Sequence, residues 1–370
     1  MPRHLKPSPA HTPMAHPSYR PDIDGLRAIA VLLVVLHHAF PPLLPGGFIG
    51  VDLFFVISGF LISSIIFQNL QKGSFSFLDF YTRRVKRIFP ALSLVLIASF
   101  AYGWFALLPA DYKQLGKHMV AGAAFVSNFA FWNESGYFDG GSKLKPLLHL
   151  WSLGIEEQYY IFWPLMVWFV WKRKFNLLTV CFALFIVSFV VNVITAKSNI
   201  VAAFYSPASR FWELLIGSVL AYMKMHHLSW FQWLRPSFRV ASPLTKLTKG
   251  HEEDHVVNRA LNNGSAWVGA GLLVMGLVFI NPERRFPGSW ALFPTLAAYL
   301  MISAGPQAWF NRVVLSHRLL VWVGLISFPL YLWHWPLLVF AEISEGHTPS
   351  AGIRLAMIAA SIALAWLTYR

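Results

Sequence analysis

Apolar stretches long enough to cross about 30 Å of hydrocarbon recur along most of this 370-residue sequence. Ten helical spans are predicted, near 27–44, 48–70, 89–108, 150–171, 175–195, 210–225, 266–281, 289–304, 319–342 and 351–369. Composition agrees, with 56% of residues hydrophobic and only 12% charged, where a soluble domain carries about a quarter. Sixteen Trp and 23 Pro suit interfacial anchors and interrupted helices. The fold class predicted is therefore an all-α integral membrane protein, a polytopic bundle of about ten transmembrane helices.

The formal charge of +14 is concentrated in alternate loops. Arg20 and Arg27 precede the first span, Lys72, Arg83, Arg84, Lys86 and Arg87 follow the second, and Lys172, Arg173 and Lys174 follow the fourth. Lys224, Arg235, Arg239, Lys246, Lys249 and Arg259 follow the sixth, and Arg312 and Arg318 the eighth. Basic loops face the cytoplasm, so both termini are expected there. Nucleic acid is not the partner this charge implies; anionic lipid and anionic cofactors are. Residues 1–19, rich in Pro, His and Lys, lack the apolar core of a signal peptide and read as a disordered cytoplasmic tail.

Parity also decides one local question. The stretch MVAGAAFVSNFAFW (119–132) looks like a span, but counting it would move Lys172, Arg173 and Lys174 outside. Residues 110–149 are therefore expected to form an outer-side excursion after the third span. The acidic patch His251, Glu252, Glu253, Asp254 and His255 reads as a solvated loop, with weak metal binding as the alternative. Cys181 lies in an apolar run and reads as packing; one cysteine rules out a disulfide framework.

Polar groups inside apolar runs are expensive unless they pair or line a cavity, so each one is informative. Arg27 and His38 stand eleven residues apart, about 20° from three full helical turns and roughly 16 Å along the axis. They share a helix face, while His37 points elsewhere. His38 is either a buried imidazole bonded to a carbonyl or part of a lined site. Asp52 either orients a histidine, pairs with an arginine or caps its helix. In FYTRRVKRIFP, Arg84 and Arg87 lie on one face of a short surface helix, where guanidinium pairs suit phosphate; simple anchoring is the alternative. HLWSLGIEEQYYIFWP places Glu156 and Glu157 just inside a span from the outer side. Arg210 and Glu213 are spaced for an i,i+3 ion pair, structural or catalytic. His334 sits between two tryptophans, where aromatic packing around a hydrogen-bonded ring is the reading. No Gly-x-Ser-x-Gly, Walker lysine loop, His-Glu-x-x-His or paired CxxC occurs.

In order along the chain, YRPDIDGLRAIAVLLVVLHHAF, GVDLFFVISGFLI, FYTRRVKRIFPAL, HLWSLGIEEQYYIFWPL, SRFWELLIGSVLA and YLWHWPL resemble the membrane acyltransferase-3 family, which includes bacterial O-antigen and peptidoglycan O-acetyltransferases. The resemblance covers residues 19 to 370, so a transmembrane acyltransferase domain over 20–370 is implied. It implies that His38 is the essential histidine of acyl transfer and Arg27 its functional partner. It also implies that Arg84 and Arg87 contact acyl-coenzyme A, and that Glu156 is the functional carboxylate of its pair. Asp52 and His334 fall in matching motifs without an assigned role.

Such a protein takes an acyl group, commonly acetyl, from cytoplasmic acyl-coenzyme A to a hydroxyl of an envelope glycan such as lipopolysaccharide O-antigen, and needs no metal. It sits in the bacterial inner membrane. Family members continue beyond the residues that here end at Arg370, and many carry a periplasmic esterase-like domain. The resemblance thus implies a C-terminal extension absent from this chain, or a separate periplasmic partner. The competing class is a proton-coupled transporter or channel in which His38, Glu156 and Asp52 form a relay.

Overall fold

The computed structural model describes residues 18–135, 144–226, 228, 250–281 and 283–370, with the side chains of 250–257 left aside. The tail over residues 1–17 and the acidic patch around His251 and His255 lie outside the described side chains. Among the described residues the chain is helical and contains no strand. In chain order the helices are α1 (Pro21–Ala39), α2 (Gly50–Gln71), α3 (Phe77–Ala106), α4 (Pro109–Ala123), α5 (Ser127–Glu134), α6 (Leu150–Lys172) and α7 (Leu177–Ser198). They continue with α8 (Ile200–Tyr205), α9 (Pro207–Met225), α10 (Gly250–Phe279), α11 (Leu292–Ala304), α12 (Arg318–Leu325), α13 (Ser327–Glu345) and α14 (Ala351–Tyr369).

Among the described residues, five segments are long and apolar enough to cross a membrane: Gly47–Gln71, Phe77–Ala106, Leu177–Ser198, Asn258–Phe279 and Ala351–Tyr369. The pair α12 and α13 makes a sixth if its 68° bend is counted as one broken span. The chain is thus a multi-pass membrane protein, but fewer helices pass on length and apolarity than the ten spans expected. The difference falls on the helices that carry the polar groups. α1 holds Asp22, Asp24, Arg27 and two histidines, α6 holds Glu156 and Glu157, and α9 holds Arg210, Glu213 and Lys224. α11 has only 13 residues, about 20 Å of helix.

Burial orders these helices from centre to rim. The apolar window of α2 is 78% buried within the protein, whereas that of α14 is 11% buried and presents its side chains outward, as a lipid-facing helix does. α2 crosses α9 at glycine: a Cβ on Gly59 would lie 1.9 Å from the Leu214 carbonyl oxygen, and one on Gly217 would lie 2.2 Å from that of Val56. Small residues let transmembrane backbones approach this closely.

Two local expectations change. FYTRRVKRIFP was read as a short surface helix followed by a separate span; both are one 30-residue helix, α3, which runs through Pro90 and is N-capped by the Asp79 amide donating to the Ser76 hydroxyl oxygen. Only one ladder donor is missing at a proline, and the packed helix carries on. The stretch 119–132 is divided between α4 and α5 at 124–126, where Phe125 adopts φ 57°. It is therefore not a continuous span. His118 ties the two short helices together through Glu134, with Nε2 2.9 Å from Oε2, and Lys145 adds a 3.1 Å ion pair to the same carboxylate. Burial lowers the His118 pKa below its ordinary value although Glu134 pulls it up.

Candidate active site

The polar residues of the bundle collect around two cavities. The larger, about 640 Å³, is lined by six basic side chains, Arg20, Arg27, Arg83, Arg84, Arg87 and Lys224, and by three acidic ones, Asp24, Glu156 and Glu157. Arg20, capping α1, and residues of α1, α3 and α9 supply the cations, α6 the glutamates. Arg84 donates from Nη2 to Glu157 Oε1 at 2.8 Å, and its guanidinium lies 4.0 Å from the centre of the Tyr160 ring. Glu156 Oε1 accepts from both the Ser58 hydroxyl and the Tyr160 phenol. Arg27 leans on Asp24 at 3.4 Å. Arg87 has no carboxylate within ion-pair distance among the described residues.

This corrects the placement of the acidic pair. Glu156 and Glu157 were assigned to the outer side, but they face the same cavity as the basic run of α3. Both sets lie roughly 10 Å inside their helices, at Arg84 counted from the start of α3 and at Glu157 from the start of α6. The two helices bring them together, and an ion pair forms where each charge alone would be costly to bury.

The smaller cavity, about 70 Å³, is lined by His38, Asp52, His149 and Arg210 among apolar walls that include Val34, Phe286 and Trp335. Among the described residues, only Val51 and Tyr331 border both cavities. Arg27 and His38 therefore share a helix but not a cavity, as their axial separation requires.

His38 does not stand alone. Its Nδ1 lies 2.9 Å from His334 Nε2, and the two rings are coplanar to 1°. His334 Nδ1 lies 2.7 Å from the Tyr331 carbonyl oxygen, which can only accept, so Nδ1 donates there. His334 Nε2 is then the lone-pair nitrogen and accepts the Nδ1 proton of His38. The chain of bonds leaves the Nε2 lone pair of His38 unused. Trp335 packs edge-on to the ring at 4.5 Å and is itself anchored by a 2.9 Å bond from its indole N–H to the Lys145 carbonyl oxygen. His37 is a structural neighbour, its Nδ1 2.9 Å from the Leu44 carbonyl oxygen.

Behind the small cavity, Arg210 Nη2 lies 3.0 Å from Asp52 Oδ1 and 3.1 Å from Glu213 Oε2. The expected i,i+3 pair exists, and Asp52 takes the arginine-pairing role among those open to it. Phe55, Trp151, Phe204 and Phe286 stand within 6 Å of the guanidinium carbon. Cys181 is buried and free, as packing requires. His149, Tyr331 and Ser152 were not singled out. Tyr331 donates to the His149 carbonyl oxygen at 2.8 Å and bonds the Ser152 hydroxyl at 2.6 Å. Their signal in sequence was faint, since each stands in a run already explained by aromatic packing. Among the described residues no group of three His, Cys, Asp or Glu side chains is placed to hold a metal.

An acyltransferase-domain family model matches residues 20–370. The chain is 31% identical over 367 residues to the peptidoglycan O-acetyltransferase OatA of Listeria monocytogenes, covering 95% of this chain and 55% of that protein. It is 30% identical over 341 residues to the O-acetyltransferase OatA of Staphylococcus aureus, covering 89% and 52% respectively. The chain thus spans about half the length of the curated relatives it matches. No solved structure matches it.

Proposed function

The chain belongs to the membrane acyltransferase family, and on that premise we propose that it is an O-acetyltransferase carrying acetyl groups from cytoplasmic acetyl-coenzyme A to a hydroxyl of a cell-envelope glycan. The observation that carries this reading is the free Nε2 lone pair of His38, held by His334 in a small cavity that meets a larger, cation-lined one at Val51 and Tyr331. A polyphosphate donor fits the larger cavity, where six basic groups outnumber three acidic ones and Arg87 is unpaired. Arg84, held by Glu157, supplies positive field there in place of a free hydrogen-bonding fork. Arg27 lies on the donor side, where it acts on coenzyme A and not on the carbonyl beside His38.

In the reaction His38 Nε2 takes the hydroxyl proton as a general base, or attacks the thioester and carries the acyl group transiently. His334 fixes the tautomer in both cases. An acid quench with labelled acetyl-coenzyme A separates the two, because only the carrier route leaves label on the protein. Peptidoglycan, named for one relative, is the first acceptor to test, ahead of lipopolysaccharide O-antigen. The location is the bacterial inner membrane with both termini cytoplasmic, and a periplasmic esterase-like domain or protein is the partner for delivery.

His38→Ala should lower acetyl-ester formation by a factor of about 10² to 10⁴, read by mass spectrometry of the envelope glycan, with membrane insertion intact. Ester levels near those of the unsubstituted chain would overturn the proposal. Transfer of labelled acyl groups also separates it from the transporter reading, which yields none.

A further inference from the structure

The small cavity contains more unused hydrogen-bonding capacity than the acid–base role of His38 requires. Both ring nitrogens of His149, Oδ2 of Asp52, and Nε and Nη1 of Arg210 lack hydrogen-bond partners. These side chains are buried, at 2%, 0% and 0% exposure. An unpartnered polar group in such surroundings is destabilising, so several of them around one cavity point to a polar occupant.

Size and chemistry narrow what that occupant is. An apolar cavity of about 150 Å³ takes benzene, six heavy atoms, so by proportion this one, at about 70 Å³, takes roughly three. A sugar ring is excluded; an acetyl group, CH₃–C=O, has three heavy atoms. Neutral His149 offers one N–H, and Nε and Nη1 of Arg210 offer three, which suits a carbonyl oxygen that gains negative charge during reaction. Val34, Phe48, Phe286 and Trp335 give the remaining wall the apolar character a methyl group needs. Val51 and Tyr331 border both cavities, so the larger cavity adjoins the smaller at a shared wall from which a thioester would enter it.

We infer that the small cavity is the acyl pocket: Arg210 and His149 hold the acyl carbonyl oxygen beside His38, and Val34 and Phe286 limit the acyl chain to about acetyl length. This rests on the acetyl-transfer reading above. In the transfer the acceptor hydroxyl oxygen bonds the carbonyl carbon and its proton passes to His38 Nε2. The C–S bond breaks, and the thiolate leaves with its electron pair into the larger cavity, where it is protonated by the proton His38 has gained. Ester and free thiol result, with no other reactant.

The test gives membranes containing the chain, or its Phe286→Ala or Val34→Ala variant, equal amounts of acetyl- and butyryl-coenzyme A, and reads both ester masses and their positions on the glycan. Enlarging the pocket should raise the butyryl-to-acetyl product ratio by roughly tenfold or more in at least one variant, one methylene in an apolar pocket being worth that much. The filling variant Val34→Phe should lose transfer while still binding coenzyme A, measured by calorimetry. An unchanged product ratio in both enlarged variants that retain acetyl transfer overturns the inference and leaves the proposed function standing. A changed position of the ester at constant ratio also overturns it, since the pocket would then hold the acceptor. Absence of any acyl transfer by the unsubstituted chain would instead overturn the proposed function, and the inference with it.

Discussion

Arg210 shows how much a single buried charge can decide. Its guanidinium faces two carboxylates, Asp52 and Glu213, and all three side chains are almost fully removed from solvent. Desolvation offsets most of the attraction in such a group, yet removal of the shared cation strands both anions. Arg210→Met should therefore destabilise the protein by about 3–5 kcal/mol, and adding Asp52→Asn and Glu213→Gln should recover part of that loss. Thermal unfolding of the purified protein in detergent measures both, and a triple variant no more stable than Arg210→Met would contradict the account. The i,i+3 pair was legible because helical spacing alone places Arg210 over Glu213. Asp52, 158 residues away, had three open roles until packing chose one. The same holds for His38. Helical phase relative to Arg27 picks it out from His37, but its bond to His334 spans 296 positions and has no local signature.

Among the helices, the crossing of α2 and α9 sets the geometry on which the small cavity depends, because Asp52 and Arg210 sit on these two elements. Gly59 and Gly217 leave no room for a side chain at the contact. Gly59→Ala and Gly217→Ala should each force the backbones apart and lower stability by about 1–3 kcal/mol, read as a fall in the unfolding midpoint. Unchanged stability in both would mean the two helices are not held at this distance. α3 teaches a different lesson. Its basic run reads in sequence as a short surface helix apart from the span, because positive charge usually marks a span's cytoplasmic flank. Continuing the helix instead carries Arg84 about 10 Å inward to meet Glu157, an outcome visible only once α6 is beside it.

Across the whole molecule, orientation remains a matter of which loops face which side, and the single buried Cys181 makes it measurable. In a Cys181→Ser background, cysteines placed at Ser74 and Lys174 should react with a membrane-impermeant maleimide only after the cells are opened, while one at Gly346 should react in intact spheroplasts. The reverse pattern would invert the topology. Order along the chain was enough to establish a membrane helical protein and the family to which it belongs, and it singles out His38 and the arginines for test. Hydropathy, helical phase and loop charge are local quantities, set by neighbours a few residues away. The division into two cavities, the histidine pair, the meeting of Glu156 and Glu157 with the arginines of α3, and the orphaned nitrogens of His149 arose from packing. Each depends on side chains from helices far apart in sequence, and no periodicity along one helix encodes which other helix will lie against it.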